Sequence, residues 1–176
     1  APWSHAALSG WILDPDRKKM SKSKGNVVTP LDLFETYGTD AVRYWAGSAR
    51  PGVDTAFSED QMKVGRKLAN KLLNVTKFVL QFGAPTGDRS LDDGVTDLID
   101  RSMLAKLDGA TEAFDAFDYA RALERTEAFF WWFCDNYVEL VKGRTYDETR
   151  PDAADSAKRA LRAALSAIQR LFAPIL

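Results

Sequence analysis

The sequence has a single cysteine, a single histidine and no long hydrophobic run. Cys134 cannot form a disulfide within the chain, and its apolar, aromatic surroundings predict a buried core thiol rather than a reactive one. The lone histidine, His5, is interpreted as incidental, and no protein-bound metal is expected. The longest apolar stretch, AFFWWFC, is too short to cross a bilayer, so no membrane partner is expected. These absences favour a cytoplasmic protein.

The chain also lacks an excess of charge of either sign. Its 24 basic and 25 acidic side chains leave a net charge of -1 over 176 residues. No overall field therefore draws the chain onto DNA or an acidic membrane, and any polyanion has to be held by a local patch of cations. With 45% hydrophobic and 28% charged residues, the composition is that of an ordinary globular domain, with or without a small appendage.

Helical patterns dominate after residue 29. Short helices are predicted over 30–37 and 40–49, with Thr29 and Thr39 as caps, and a long amphipathic helix follows a capping box at Ser58 and ends near Gly83. A turn-rich linker spans 83–95. Further helices are predicted over 97–114, over 119–144 and from Thr149 to a distortion at Pro174, with Thr96, Asp118 and Thr149 as caps.

These elements predict a mainly α fold: an antiparallel helical bundle with a small N-terminal strand-and-loop appendage. The aromatic run Phe129–Phe133, FFWWF, is interpreted as core packing rather than a base-stacking platform. Asp40 and Arg43 stand three residues apart on one helix, where they could form a local ion pair or couple the appendage to its surroundings. Both chain ends favour a piece of a longer protein.

One short stretch, RKKMSKSKGN at residues 17–26, concentrates the positive charge. Judged by charge alone, it could be a targeting run, a heparin-like patch or a solvated loop. It is not a Walker A loop, because its glycine, Gly25, follows the lysines and no second glycine precedes them at the required spacing. The order of the residues that follow is therefore more informative than the charge.

The extended run KMSKSKGNVVTPLDLFETYGTDAVRYW closely resembles class I aminoacyl-tRNA synthetases of the subgroup that handles valine, isoleucine and leucine. The next segment, SARPGVDTAFSEDQMKVGRKLANKLLNVTKFV, is similar to the valyl members, and FFWWFCDNYVELVKGR is similar to a helix of the subgroup's anticodon-binding bundle. Isoleucyl or leucyl membership, a stand-alone RNA-binding helical module and a plain helical bundle remain open as alternatives.

The resemblance implies a division of labour along the chain. Residues 1–57 would be the end of a catalytic domain with its KMSKS loop and stem-contact helices, and residues 58–176 would be an anticodon-binding bundle that is incomplete at its C-terminus. The parent enzyme would activate valine with ATP, accompanied by Mg²⁺, and transfer it to tRNA(Val). The family's HIGH-type tetrapeptide is absent from this sequence, so the chain alone is expected to be inactive.

The resemblance also implies which side chains act. Lys22, supported by Lys19, would approach the ATP phosphates mainly in the transition state, when negative charge builds on the leaving pyrophosphate. The ATP-binding loop would comprise Lys19, Met20, Ser21, Lys22 and Ser23. The cations expected to meet tRNA phosphates lie on helix faces and helix ends, and they are Arg66, Lys67, Lys71, Lys142 and Arg144.

Overall fold

The computed structural model describes residues 2–4, 6–83, 94–115 and 118–176; His5 and most of the predicted linker, residues 84–93, lie outside the described residues. The elements, in chain order, are strand β1 (Ile12–Leu13), a 3-10 turn (Lys22–Lys24), helices α1 (Pro30–Tyr37) and α2 (Thr39–Gly47), strand β2 (Thr55–Ala56), and helices α3 (Glu59–Leu80), α4 (Leu98–Asp115), α5 (Tyr119–Trp132), α6 (Glu139–Thr145) and α7 (Pro151–Phe172). The mainly α fold class predicted from the sequence is confirmed. In the described part of the chain, no helix is both long and apolar enough to cross a membrane.

The N-terminal appendage is built on two very short parallel strands. Ile12 lies opposite Thr55 and Leu13 opposite Ala56, and Leu13 also forms an antiparallel bridge with Lys19. The indole Nε1 of Trp45 donates to the carbonyl of Ala56 at 3.3 Å, which ties β2 to α2. The strand pair therefore places the basic loop beside the first helices.

The core of the bundle lies between α3, α4, α7 and the helical segment from α5 to α6. This segment is continuous, as the spacing of its apolar residues predicts, but Phe133–Val138 form a π-helical turn between α5 and α6. The wider turn carries the rings of Phe133 and Tyr137 into the core, where they stack with centroids 5.7 Å apart. Phe129, Phe130 and Phe133 are buried, so the interpretation of the aromatic run as core packing is confirmed.

Two of the predicted helix caps are confirmed. The Ser58 side chain accepts a hydrogen bond from the Gln61 amide at 3.3 Å, and that of Asp118 accepts one from the Arg121 amide at 3.1 Å. Each satisfies a backbone donor that the first turn of its helix leaves without a partner.

None of the predicted threonine caps makes its capping hydrogen bond, although the N-cap position of Thr29 is confirmed. Thr29 occupies the N-cap position of α1 without a capping hydrogen bond, and α2 begins at Thr39 itself. Before α4, the carboxylate of Asp97 rather than Thr96 accepts from the Ile99 amide, at 2.9 Å. The Thr149 hydroxyl donates to Asp147 instead of capping α7. In the last two cases a neighbouring aspartate carboxylate, which is a stronger acceptor than a hydroxyl, takes the local donors.

A buried carboxylate joins four parts of the bundle. Asp100, on α4, is fully buried and accepts hydrogen bonds from the Tyr137 hydroxyl and the Ser156 hydroxyl, both at 2.7 Å. Arg144, on α6, forms salt bridges with Asp100 and with Asp97. Burial raises the pKa of the Tyr137 phenol, and the adjacent Asp100 carboxylate raises it further, so Tyr137 stays a hydrogen-bond donor.

Helices α2 and α3 cross at a glycine. An ideal Cβ on Gly65 would lie 2.6 Å from the Cβ of Tyr44, which is closer than two non-bonded carbon atoms can approach. The Tyr44 hydroxyl continues past the crossing and donates to the Glu127 carboxylate on α5 at 2.7 Å. The absent side chain therefore sets how closely α2 lies against the bundle.

The neighbouring Arg43 does not form the local ion pair considered for Asp40. Its guanidinium donates to the carbonyls of Ile175 and Pro174, at 2.8 and 3.0 Å, just beyond the end of α7. Helix α7 ends at Phe172, before Pro174. The expectation that this proline distorts the helix is therefore wrong. Arg43 thus ties α2 to the turn that follows α7 and satisfies two of its carbonyls.

Replacing Gly65 with alanine should destabilise the chain, because Tyr44 cannot move away without separating α2 from α3. We expect a loss of about 1–3 kcal/mol in the free energy of unfolding, measured by urea titration. Gly143→Ala is the matched control: it is also helical, but nothing lies within 4 Å of its added Cβ, so it should be neutral or stabilise by up to about 1 kcal/mol. Equal effects of the two substitutions would contradict the crossing.

Candidate functional site

The basic loop leaves β1 through a tight backbone turn. The amide of Arg17 donates to the carbonyl of Asp14, and the amide of Asp14 donates to the carbonyl of Lys18, both at 2.9 Å. Arg17 adopts the left-handed backbone region, with φ of 63°. The chain therefore reverses directly after the strand, and the segment Lys19–Ser23 begins against Leu13.

Two residues that the sequence analysis did not single out fasten this loop. The Asn26 amide bonds the backbone on both sides of Met20, and its Nδ2 also donates to the carboxylate of Asp14 at 2.8 Å. Asp14 is buried and accepts a second hydrogen bond from the Lys18 amide, at 2.7 Å. The Lys18 amide, followed by the Asn26 side chain, lowers the pKa of the Asp14 carboxyl, so it is ionised at neutral pH.

The two lysines of the KMSKS segment, Lys19 and Lys22, differ in the contacts of their side chains. The Nζ of Lys19 lies 4.4 Å from the ring centroid of Trp11, in a cation–π arrangement. Lys22 starts the 3-10 turn that Gly25 closes in the left-handed region, and its exposed side chain makes no hydrogen bond or ion pair with any described residue. The hydroxyls of Ser21 and Ser23 share a hydrogen bond of 2.7 Å. Of these two lysines, Lys22 thus presents a free ammonium group, whereas that of Lys19 rests on an aromatic ring.

The cations expected on α3 and α6 fall into two groups. Lys71 and Lys142 line one groove of about 290 Å³ between these helices, together with Asn74. Lys71 lies 3.5 Å from the exposed carboxylate of Asp135, and Lys142 is exposed. The structure therefore brings two of the predicted residues to one groove, whose lining also includes Glu139.

Arg66 and Lys67 lie one and a half turns earlier along α3. Arg66 donates to the carbonyl of Thr36 at 3.2 Å, and the Nζ of Lys67 lies 5.6 Å from the ring centroid of Trp131. Both side chains remain exposed. Their contacts fix their positions on the surface without neutralising their charges.

Arg144 differs from the other four cations in its burial and its partners. Its side chain is only 13% exposed and lies between the carboxylates of Asp97 and Asp100. These carboxylates raise the pKa of the Arg144 guanidinium despite its partial burial. Both carboxylates that Arg144 contacts belong to this chain. We therefore assign Arg144 to the core of the bundle and remove it from the set of cations that face solvent.

Neither a reactive thiol nor a metal site is found among the described residues. Cys134 lies beneath the groove lined by Lys71 and Lys142, and burial raises the pKa of its thiol to about 12, which confirms a core role over a reactive one. Among the described residues, no three His, Cys, Asp or Glu side chains converge in a way that could hold a metal ion.

Comparison with known protein families gives two matches along the chain. Residues 1–58 match the family described as tRNA synthetases class I (I, L, M and V), and residues 100–176 match the anticodon-binding domain of tRNA ligase. The first match contains the loop, and the second contains α5 through α7 with nearly all of α4.

Individual relatives agree along the whole chain. It is 60% identical to a valine–tRNA ligase of Salinispora tropica over 99% of the chain, 61% identical to that of Leifsonia xyli over 100%, and 59% identical to that of Thermobifida fusca over 99%. The chain spans about a fifth of the length of these curated relatives, 21%, 21% and 20% respectively.

Solved structures agree on the fold. A methionyl-tRNA synthetase of Mycobacterium tuberculosis in complex with methionyl-adenylate superposes with a TM-score of 0.69 at 26% identity, over 93% of this chain and 34% of its own. A ternary complex of LeuRS, tRNA and LeuAMS from Agrobacterium radiobacter K84 gives a TM-score of 0.70 at 19% identity, over 95% of this chain and 20% of its own.

The two cations at the end of the α5–α6 segment should respond differently to neutralisation. Arg144→Gln leaves Asp100 buried without its charge partner, so we expect a loss of about 3–5 kcal/mol in the free energy of unfolding. Lys142→Gln, two residues away and exposed, should change it by less than about 0.5 kcal/mol. Urea titration of both variants measures the difference, and a small effect of Arg144→Gln would contradict its assignment to the core.

Proposed function

The chain belongs to the class I aminoacyl-tRNA synthetases, and from that premise we propose that it is part of a valine–tRNA ligase that acts in the cytoplasm. In this proposal the complete enzyme activates valine with ATP and transfers it to tRNA(Val). The observation that carries the proposal is the high identity to valine–tRNA ligases along the whole chain, loop and bundle together. The same similarity supports valine over isoleucine or leucine as the amino acid.

The loop would act on the triphosphate of ATP. Attack of the valine carboxylate on the α-phosphate releases pyrophosphate, whose oxygens gain negative charge as the bond breaks. The exposed, unpaired ammonium of Lys22 can approach those oxygens from a flexible stem, whereas Lys19 starts from its position over Trp11. A contact made mainly as the charge develops lowers the barrier to activation. Mg²⁺ would arrive with ATP, bound to the phosphates.

The bundle would bind the tRNA. Lys71 and Lys142 flank one groove, Lys67 continues the same face of α3 one turn earlier, and Arg66 lies on the side of α3 toward α1. Such a row suits the phosphates of an RNA backbone, which supply affinity without sequence information. The match of residues 100–176 to an anticodon-binding domain supports this role for the bundle. We propose residues 1–57 as the catalytic part and 58–176 as the tRNA-binding part.

Lys22→Ala in the full-length enzyme should slow valine-dependent ATP–pyrophosphate exchange by about a hundredfold, because one contact to developing charge is lost. The KM for valine should change little, since the lysine does not meet the amino acid. Lys24→Ala is the matched control: it is also an exposed lysine of the 3-10 turn, and we expect less than about a threefold effect. An unchanged exchange rate in Lys22→Ala would contradict the phosphate role.

A double substitution, Lys71→Gln with Lys142→Gln, should weaken binding of tRNA(Val) by about tenfold or more at physiological salt. Two phosphate contacts fewer should also reduce the log–log slope of affinity against salt by about 1.5. Filter binding across a series of KCl concentrations measures both quantities. Lys106→Gln is the control, because this exposed lysine lies on α4 outside the proposed surface, and it should leave the slope unchanged. An unaltered slope in the double variant would exclude this groove from the interface.

A further inference from the structure

We infer that Asn26 and Asp14 are positioning residues for the activation step: together they hold the Lys19–Ser23 loop in the shape from which Lys22 reaches ATP. This inference rests on the proposed function and adds two residues to it. Neither side chain is cationic, and neither belongs to the KMSKS segment Lys19–Ser23. Their role follows from the hydrogen bonds that they make.

The first step is the contact of Asn26 with the loop backbone. Its Oδ1 accepts from the amide of Ser21 at 2.9 Å, and its Nδ2 donates to the carbonyl of Lys19 at 3.3 Å. One side-chain amide thus pairs with the backbone on both sides of Met20, as a neighbouring strand would. The backbone of an exposed loop usually bonds water at such groups, so this pairing fixes the path of the chain just before Lys22.

The second step is the connection to the sheet. The same Nδ2 of Asn26 donates to Oδ2 of Asp14 at 2.8 Å, while Oδ1 of Asp14 accepts from the Lys18 amide at 2.7 Å. Asp14 is 6% exposed and follows β1 directly. The loop is therefore anchored through two side chains to a strand that is itself paired with β2.

The third step is chemical specificity. Position 26 needs an acceptor for Ser21 and donors for both Lys19 and Asp14, and among short side chains only an amide supplies all of them. An aspartate at this position would keep the bond to Ser21 but would set a second carboxylate against Asp14. Because a lysine stem is flexible, Lys22 can reach a defined place only if the backbone beneath it is held.

The geometry allows a reciprocal exchange as the test. Asn26→Asp alone places two carboxylates together, and Asp14→Asn alone loses one of the two bonds made at position 14. In the double variant the exchanged side chains can restore the pair. The amide now at position 14 can accept from the Lys18 backbone and donate to the carboxylate now at position 26, which still accepts from Ser21. Only the long bond to the Lys19 carbonyl is then missing.

We expect each single substitution to lower kcat for valine-dependent ATP–pyrophosphate exchange in the full-length enzyme by about 10- to 100-fold, with KM for valine unchanged. The double variant should regain most of the loss, because the link between the loop and the strand is rebuilt with donor and acceptor exchanged. A comparison of the four enzymes at saturating ATP measures this recovery.

Two further measurements separate positioning from general instability. Transfer of valine to tRNA from chemically supplied valyl-adenylate needs no ATP phosphates, so the single variants should retain it. Native-state hydrogen exchange at the amides of Lys18 and Ser21 should show protection in the wild type. Protection should fall in Asn26→Asp, because repulsion between the carboxylates at positions 26 and 14 opens the loop even though an acceptor for Ser21 is kept, and it should recover in the double variant. This pattern of hydrogen exchange does not depend on which amino acid the enzyme activates.

The outcomes are distinct. Three results would each overturn the inference. The single variants could show wild-type rates of ATP–pyrophosphate exchange, or the double variant could show the sum of the two single losses in kcat. The single variants could also lose transfer of valine from the adenylate to the same extent. A wild-type enzyme without valine-dependent exchange would refute the proposed function, and this is seen before any variant is compared. Recovery of both pyrophosphate exchange and amide protection in the double variant would establish the pair as positioning residues.

Discussion

The bundle depends on one buried negative charge. A carboxylate in a core is tolerated only when its oxygens are hydrogen-bonded and paired with a cation, and Asp100 obtains these partners from three other segments. The π-helical turn delivers Tyr137, α6 delivers Arg144, and α7 delivers Ser156. Apolar packing would be satisfied by several arrangements of these helices, but the requirement for all three partners at one point restricts their register. The hydroxyl of Ser156 extends the network by accepting from the amides of Thr96 and Asp97, so the start of α4 is fixed as well.

The position of the basic loop follows from this bundle through a chain of close contacts. A sheet of two short strands is too small to be stable alone, so the appendage depends on what it touches. Gly65 allows α2 to lie against α3, Tyr44 bonds α5, and Arg43 holds the turn after α7. Trp45, on the same helix, then bonds the carbonyl at the end of β2. Helix α2 is thus the physical link between the loop that would meet ATP and the bundle that would meet tRNA.

Sequence patterns predicted what depends on local order. Apolar spacing located the helices, the side chains of Ser58 and Asp118 marked their starts, and the run from Lys19 onward indicated the family. Patterns could not predict contacts whose partners are far apart in sequence. Arg144 looks like an exposed helix-end cation until its carboxylate partners arrive from 44 and 47 residues earlier, and Asn26 looks like a turn residue until Asp14 is placed beside it. The caps at Thr96 and Thr149 failed because a neighbouring aspartate took the local donors: Asp97 accepts from the Ile99 amide, and Asp147 accepts from the Thr149 hydroxyl itself.

The net charge of -1 does not show how the charges are arranged in the structure. Some cations are paired within the chain, as Arg144 is with Asp97 and Asp100, Arg150 with Asp147, and Arg159 with Asp155. Lys22 and Lys142 have no such acidic partner among the described residues, and they stand on the two surfaces for which a polyanion is proposed. The near-zero total counts paired and unpaired cations alike, so it does not measure how much charge is available to a ligand. In a chain of this kind, the contribution of each cation has to be judged from its nearest carboxylate rather than from the sum.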